Sequence, residues 1–258
     1  MTSIEVPVTA ASLLDRVRQI ETVVGAHGAN AEKERRLSDA VSKSMLKQGL
    51  YRLWKPKAFG GLEVDPMTAF RVFEEISRID SAAGWNLQLS CSADPFGAWF
   101  PDNGAEEIFG QQDAVLAGSF FPPRKAVPVD GGYRLTGQTP FVSGAHQSHW
   151  FLGLAHIYDS ETPRVADNGM PMTLITACPL SDVVILDTWR TLGMRGTEAT
   201  MWLSKTYLFQ SGVRRCWHPW KGREKLIRGR FINSRCGLPV RPWQALLLVL
   251  PAPPLTTY

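Results

Sequence analysis

The residues best placed to do chemistry lie in Gly131-Gly132-Tyr133-Arg134-Leu135-Thr136-Gly137-Gln138-Thr139-Pro140-Phe141-Val142-Ser143-Gly144. The stretch reads as a turn, a strand, a second turn and a strand that stops at Ser-Gly. Asp130 to Gly132 tolerates positive φ, and Tyr133, Leu135, Phe141 and Val142 are strand formers. An aromatic followed by Ser143 and Gly144 puts a hydroxyl and an unhindered backbone at a sheet edge, which suits the rim of a flat ring ligand. An ordinary β-hairpin explains the same letters.

Other candidate groups carry less. His146 and His149 lie three apart, but no further ligands stand nearby in a metal-binding pattern, so no metal site is expected. His156 reads as a strand residue and His27 as a helix terminus. Glu74-Glu75 sits mid-helix, where adjacent side chains diverge and cannot act as a facing pair. No nucleophile elbow and no G-x-G-x-x-G fingerprint is present.

The elements that must position these groups fall into two regions. Leu13, Leu14, Val17, Ile20, Val23 and Val24 recur at helical spacing from about Ala10 to Ala26, with His27-Gly28 as the stop. A second helix is predicted from an Asn30 cap to Gln48, with Leu37, Val41, Met45 and Leu46 on one face and Gly49 as its end. The loop Pro56-Lys57-Ala58-Phe59-Gly60-Gly61-Leu62 follows. Asp65-Pro66 caps a helix through Ile79, and Ser81-Ala82-Ala83-Gly84-Trp85 opens another that ends near Ser92. Trp85 is either core or pocket wall. A short helix, Gly104 to Phe109, is capped by Asn103. From Ala114 the pattern turns to short β runs at 115–121, 125–129, the hairpin, 149–157, 172–178 and 183–186. Helices first and strands after make an α+β chain, with an antiparallel barrel or sandwich as its second part.

The chain resembles the acyl-CoA dehydrogenase superfamily, and most closely its type 2 branch of two-component flavin-dependent monooxygenases. The hairpin is similar to that family's GGY-x-(L/V)-(S/T/N)-G-(R/Q)-x-x-F-x-SG, and the Pro56–Leu62 loop to its P-x-x-(Y/F)-G-G-L. The likeness runs from about residue 10 to Gly193-Met194-Arg195-Gly196-Thr197. It implies an N-terminal helical domain (1–112), a flavin-facing β-domain (113–197) and a C-terminal four-helix domain that is not recognisable here. It implies a flavin, FMN or FAD, held by Gly118 and Ser119 on one strand and by Phe141, Val142 and Ser143 on another. Phe141 would lie beside the ring, and Ser143, as the catalytic group, would bring its hydroxyl to N5 and stabilise the reduced ring. Phe120 and Phe121 stand where the acyl-CoA-selective branch has Glu-Pro. The implied activity is reduced-flavin monooxygenation of a small aromatic or heterocyclic substrate, fed by a separate flavin reductase in a homotetramer. α,β-Dehydrogenation of an acyl thioester is the alternative, and a non-catalytic remnant a second one.

Composition sets bounds. With 258 residues, 44% hydrophobic and 20% charged, the chain is of ordinary globular type. No apolar run is long enough for a membrane span and the first residues do not form a signal peptide, so a cytoplasmic protein without membrane contact is expected. The four cysteines are scattered, as reduced structural thiols would be. Residues 198–258 hold ten Lys/Arg and two Glu, a net of +8, which leaves −4 for the first 197 residues against the total of +4.

That basic tail ends the resemblance abruptly. A nucleic-acid arm or a membrane-surface segment would explain the charge, but the basic residues form no helix face, and no nucleic-acid partner is expected. Translation in a shifted frame explains more. Reading the last base of each codon with the first two of the next, suitable synonymous codons give G-S-D-D-V-V-I-E-D-V-F-V-P-E-R-R for residues 198–213, which is similar to the superfamily's loop and strand after G-M-R-G-T. The expectation is a one-base deletion near the Thr197 codon and a truncated, impaired enzyme, in which Trp202 and Trp217 carry no evolved role.

Overall fold

The computed structural model describes residues 8–100, 102–130 and 132–210, with side chains described as far as Leu203. Helix α1 (Ala10–Glu34) begins at a reciprocal Thr9–Ser12 capping box and ends on Arg35 in the left-handed region. It does not stop at His27-Gly28. Gly28 instead lets α1 approach a neighbouring helix end, since a Cβ there would sit 2.9 Å from Asp80 Oδ2. The second helix is correspondingly shorter than the sequence predicts: α2 (Asp39–Lys47) starts where the Ser38 side chain accepts from Val41 N. Asn30 lies inside α1. Helix α3 (Pro66–Ile79) has the expected Asp65 cap with Pro at its first position. Helices α4 (Ser81–Ala93) and α5 (Asp102–Phe109) complete the helical part.

The strands are β1 (Leu116–Gly118), β2 (Arg124–Val129), β3 (Gly132–Val142), β4 (Trp150–Asp159), β5 (Thr162–Pro163), β6 (Thr173–Pro179), β7 (Val183–Leu186) and β8 (Thr200–Gln210). The α+β layout stands, but the sheet is mixed rather than antiparallel, because β1 and β2 both run parallel to β4. The stretch Gly132–Val142 is one strand and not two. Gly137 (φ 136°) and Phe141 (φ 61°) absorb the predicted second turn as irregularities in the β3–β8 ladder. The sheet also runs past the expected boundary at 197: β8 pairs with both β3 and β7. Trp202 lies fully buried in the sheet core, stacked on Phe151 with ring centroids 4.6 Å apart. Cys91 and Cys178 are buried free thiols, while Cys216, Cys236 and the rest of the tail lie outside the described residues.

Among the described residues, three apolar clusters hold the chain together. Leu13, Val17, Met45, Val72, Ile76 and Leu87 pack the helices on one another. Leu135, Val142, Phe151, Ile157 and Trp202 fill the sheet. Phe59, Phe100, Phe109, Leu116 and Leu152 join the two parts. Helix α4 is buried on most sides because its first turn is small: a Cβ on Gly84 would stand 2.0 Å from Ser77 Oγ and 2.8 Å from Ser77 Cα. The α3–α4 contact therefore has no room for a methyl group.

Gly84→Ala is expected to force α4 off α3 at a cost of about 1–3 kcal/mol, which lowers the thermal midpoint by about 2–4 °C per kcal/mol. Gly193→Ala, where nothing lies within 4 Å of the added atom, is the control and should shift stability by less than about 0.5 kcal/mol. Equal midpoints for the two variants, measured by thermal melts, would contradict the packing account.

Candidate active site

The sheet register brings the two predicted halves of the site together. Strand β6 occupies one edge of β4. Strands β1 and β2 therefore share the other edge, β1 at Trp150–Leu152 and β2 at Ala155–Ile157. Strand β3 pairs with β2 only over Gly132–Thr136. Beyond that, its segment Gly137–Val142 runs on at the level of β1, and no pairing joins β1 to β3 among the described residues. The sheet opens there. Gly118 and Ser119 line one lip of the opening and Phe141 to Ser143 the other.

Each predicted residue has a distinct place. Gly118 and Ser119 are half-buried; Ser119 N still donates to Leu152 O at 3.2 Å, and its hydroxyl makes only a long 3.5 Å contact to the Phe121 carbonyl. Phe141 is 65% exposed, in a positive-φ conformation that a bulky residue rarely adopts. Such strain persists where the surroundings over-determine it, and its effect here is to turn the ring out of the sheet at the opening. Its edge meets Trp189 in a T-shaped contact with centroids 6.3 Å apart. The Val142 side chain is fully buried in the sheet core, so only its backbone is available to a ligand. Ser143 is 6% exposed, and its Oγ accepts a hydrogen bond from Trp85 Nε1 at 3.2 Å.

Trp85 is therefore not a core residue: it is 43% exposed and its Nε1 donates to the Ser143 hydroxyl. Sequence reasoning missed Asn86, whose Nδ2 donates to Gly196 O at 3.3 Å, and Gln147, which follows Ser143 by one turn of chain. It also missed how the segment Gly193–Thr197 supports the site. Gly144 N donates to Thr197 O at 3.0 Å, and Arg195 N donates to Glu32 Oε1 at 3.0 Å. Three of the histidines are otherwise engaged. His149 Nδ1 accepts from Val115 N at 3.1 Å, His156 Nδ1 pairs with Thr173 Oγ1 at 2.9 Å, and His146 contacts the Glu198 carboxylate. Glu75 is bound by Arg78, which holds its carboxyl below the ordinary range.

An opening in a sheet, rimmed by exposed aromatic rings and centred on one fixed hydroxyl, is suited to a flat polycyclic group. Comparison with known proteins points the same way. Residues 9–99 match the acyl-CoA dehydrogenase N-terminal domain. The indole-3-acetate monooxygenase of Pseudomonas putida is 32% identical over 187 residues, which are 72% of this chain and 45% of that protein. Residues 9–99 thus carry an acyl-CoA dehydrogenase N-terminal domain, and the proteins the chain is similar to are flavin-dependent monooxygenases. A second relative, the FADH(2)-dependent resorcinol hydroxylase oxygenase component of a Rhizobium species, is 29% identical over 72% of this chain and 44% of its own length. The solved structure of XiaF from a Streptomyces species, in complex with FADH2 and glycerol, superposes with a TM-score of 0.74 at 29% identity and covers 89% of this chain and 55% of that one. The chain spans about half the length of the curated relatives it matches.

The strain at Phe141 gives a test that needs no ligand. Phe141→Gly should unfold at the same or a higher temperature than the parent, by up to about 1 kcal/mol, because glycine adopts this backbone freely. A clear loss of stability in thermal melts would show that the ring is a packing residue and not a ligand platform.

Proposed function

We propose that this chain is the N-terminal and middle part of the oxygenase component of a two-component flavin-dependent monooxygenase. The observation that carries the reading is the opening between β1 and β3, with Ser143 held by Trp85 at its centre and Phe141 turned out beside it. The donor set fits an isoalloxazine, FMN or FAD. Phe141 would pack against the ring, Ser143 Oγ would stand at N5, and Gly118 and Ser119 would bound the opposite lip. Bound as the reduced form, the flavin would supply the two electrons that reduce one oxygen atom of O2 to water while the other enters the product. The chain's own residues orient the ring, shield one face from water and hold a hydrogen bond at N5.

The substrate class that fits an aromatic-rimmed opening is a small aromatic or heterocyclic compound. A separate flavin reductase would deliver the reduced cofactor, and a homotetramer in the cytoplasm is the expected working form. No helix among the described residues is long and apolar enough to cross a membrane. Acyl thioester dehydrogenation is the less favoured reading, since Phe120 and Phe121 offer no carboxylate at the β1 lip.

Anaerobic titration of the 258-residue chain with FMNH2 and FADH2 tests the proposal. Saturable binding is expected, weakened about 3–10-fold in Ser143→Ala by loss of one hydrogen bond of about 0.5–1.5 kcal/mol. Binding of neither reduced flavin would overturn it, and dye reduction driven by acyl-CoA would move the chain to the dehydrogenases.

A second reading concerns the segment after Thr197, and one observation favours it. Glu198 adopts φ 53° with its side chain buried, a backbone conformation suited to glycine. The shifted frame places Gly at this position. The pairing of β8 does not discriminate, because T-M-W-L-S-K and D-D-V-V-I-E are both able to form a strand. We infer a single-base deletion in the coding sequence at this point. Resequencing the codons for Met194 to Met201 should recover one extra base, and an unchanged sequence would refute the inference.

A further inference from the structure

Behind Ser143 lies a small cavity of about 10 Å³, whose lining includes Asn86, Ser90, Ser143 and Gln147 beside Val115 and Leu116. That is about the room one water molecule needs. Two amide oxygens facing this region, Asn86 Oδ1 and Gln147 Oε1, are buried without a hydrogen-bond partner. Asn86 is 4% exposed. Their orientation is fixed by their other ends, because Asn86 Nδ2 donates to Gly196 O at 3.3 Å and Gln147 Nε2 to Leu37 O at 3.5 Å. They also converge: a Cβ on Gly144 would lie 3.4 Å from Gln147 Oε1 and 3.6 Å from Asn86 Oδ1.

Two hydroxyls complete the set. Ser90 Oγ accepts from Leu116 N at 3.3 Å, and Ser143 Oγ accepts from Trp85 Nε1 at 3.2 Å. Each oxygen is thereby engaged as an acceptor and keeps its proton to donate. Two orphan acceptors and two spare donors around one small space match the four hydrogen bonds of a single water. Leaving both amide oxygens buried and unmet would cost far more than confining one water.

We propose that this cavity binds one structural water, and that Asn86 and Gln147, acting through it, are positioning residues that commit the Ser143 proton inward. The hydroxyl then presents only a lone pair to the opening, so the site takes an N–H donor from its ligand. This consequence rests on the flavin reading above: reduced isoalloxazine carries a proton on N5, whereas the oxidised ring has only an acceptor there. The site therefore selects the reduced cofactor.

The water and the proton direction are tested without flavin. A crystal structure of the full chain should show one solvent peak within hydrogen-bonding distance of Asn86 Oδ1, Gln147 Oε1, Ser90 Oγ and Ser143 Oγ, and a neutron map of the same crystals should place the Ser143 deuteron toward it. A cavity filled by a side chain, or a deuteron aimed at the opening, overturns the proposal even if flavin binds. Anaerobic and aerobic titrations then test selectivity. The parent should bind reduced flavin at least tenfold tighter than oxidised flavin. Gln147→Met should cut that ratio threefold or more, and Gln147→Glu, which keeps an acceptor at similar reach, should preserve it. An unchanged ratio in Gln147→Met overturns the positioning role. Failure of the parent to bind flavin in either state, with the water and its deuteron in place, would sink the functional reading alone.

Discussion

The site depends on how closely α4 is allowed to approach its neighbours. Gly84 lies against Ser77 on α3, and Gly196 lies where a Cβ would stand 3.0 Å from the Ala31 Cβ and 3.1 Å from the Ala82 Cβ. These contacts between small residues seat the 193–197 segment on α1 and α4. The same segment then accepts Gly144 N and Asn86 Nδ2 through its carbonyls. Helical packing is thus transmitted to the Ser143-Gly144 turn by a short chain of contacts with no long flexible side chain in it. Close-packed interiors transmit such constraints because they have little free volume to absorb them. Trp85 and Asn86, adjacent on α4, consequently reach Ser143 from a rigid support, which is what a site that must hold one hydroxyl in one direction requires.

The sheet supplies the second half of the constraint through an unusual economy of edges. One edge of β4 serves two short strands in succession, so β3 outlasts β2 and meets β1 without pairing. An unpaired edge inside a sheet is normally a liability. Here the ladder on the far side, β3 with β8, keeps the segment extended. The two irregularities in that ladder, at Gly137 and Phe141, interrupt the strand's regular course along its Gly137–Val142 end.

Much of this was legible in the sequence, and the failures have physical causes. The Asp65-Pro66 cap, the strand set from Leu116 to Leu186 and the Phe141-Val142-Ser143 lip were readable because caps, β-branched runs and turn residues act locally. Gly28 was misread as a stop because its use is a tertiary contact with Asp80, which no local pattern reveals. Gly137 was misread as a turn for a related reason: positive φ serves a bulge as well as a hairpin, and only the partner strand decides between them. Asn86 and Gln147 were missed because their role arises from orphaned oxygens converging across elements, and neither residue type nor spacing encodes convergence.

Residues 198–203 pack into the sheet although the family-like pattern ends at Thr197. Trp202 fills the sheet core, with the buried Arg124 guanidinium 4.6 Å above its ring, yet its Nε1 finds no partner. Arg124 is itself buried, bonded to Thr176 Oγ1 and, weakly, to Cys178 Sγ, with its Nε unmatched. A core that had evolved around an indole and a guanidinium would be expected to satisfy both, since unmatched buried donors each cost about 1–3 kcal/mol. A small aliphatic residue at 202, as the shifted frame provides, would remove one of the two debts and leave β8 its backbone ladder. The left-handed Glu198 just before it points the same way. Unmatched buried polar atoms also occur before Thr197, both Asp94 carboxylate oxygens among them, so it is the mismatch at Trp202 in particular that the shifted frame would relieve.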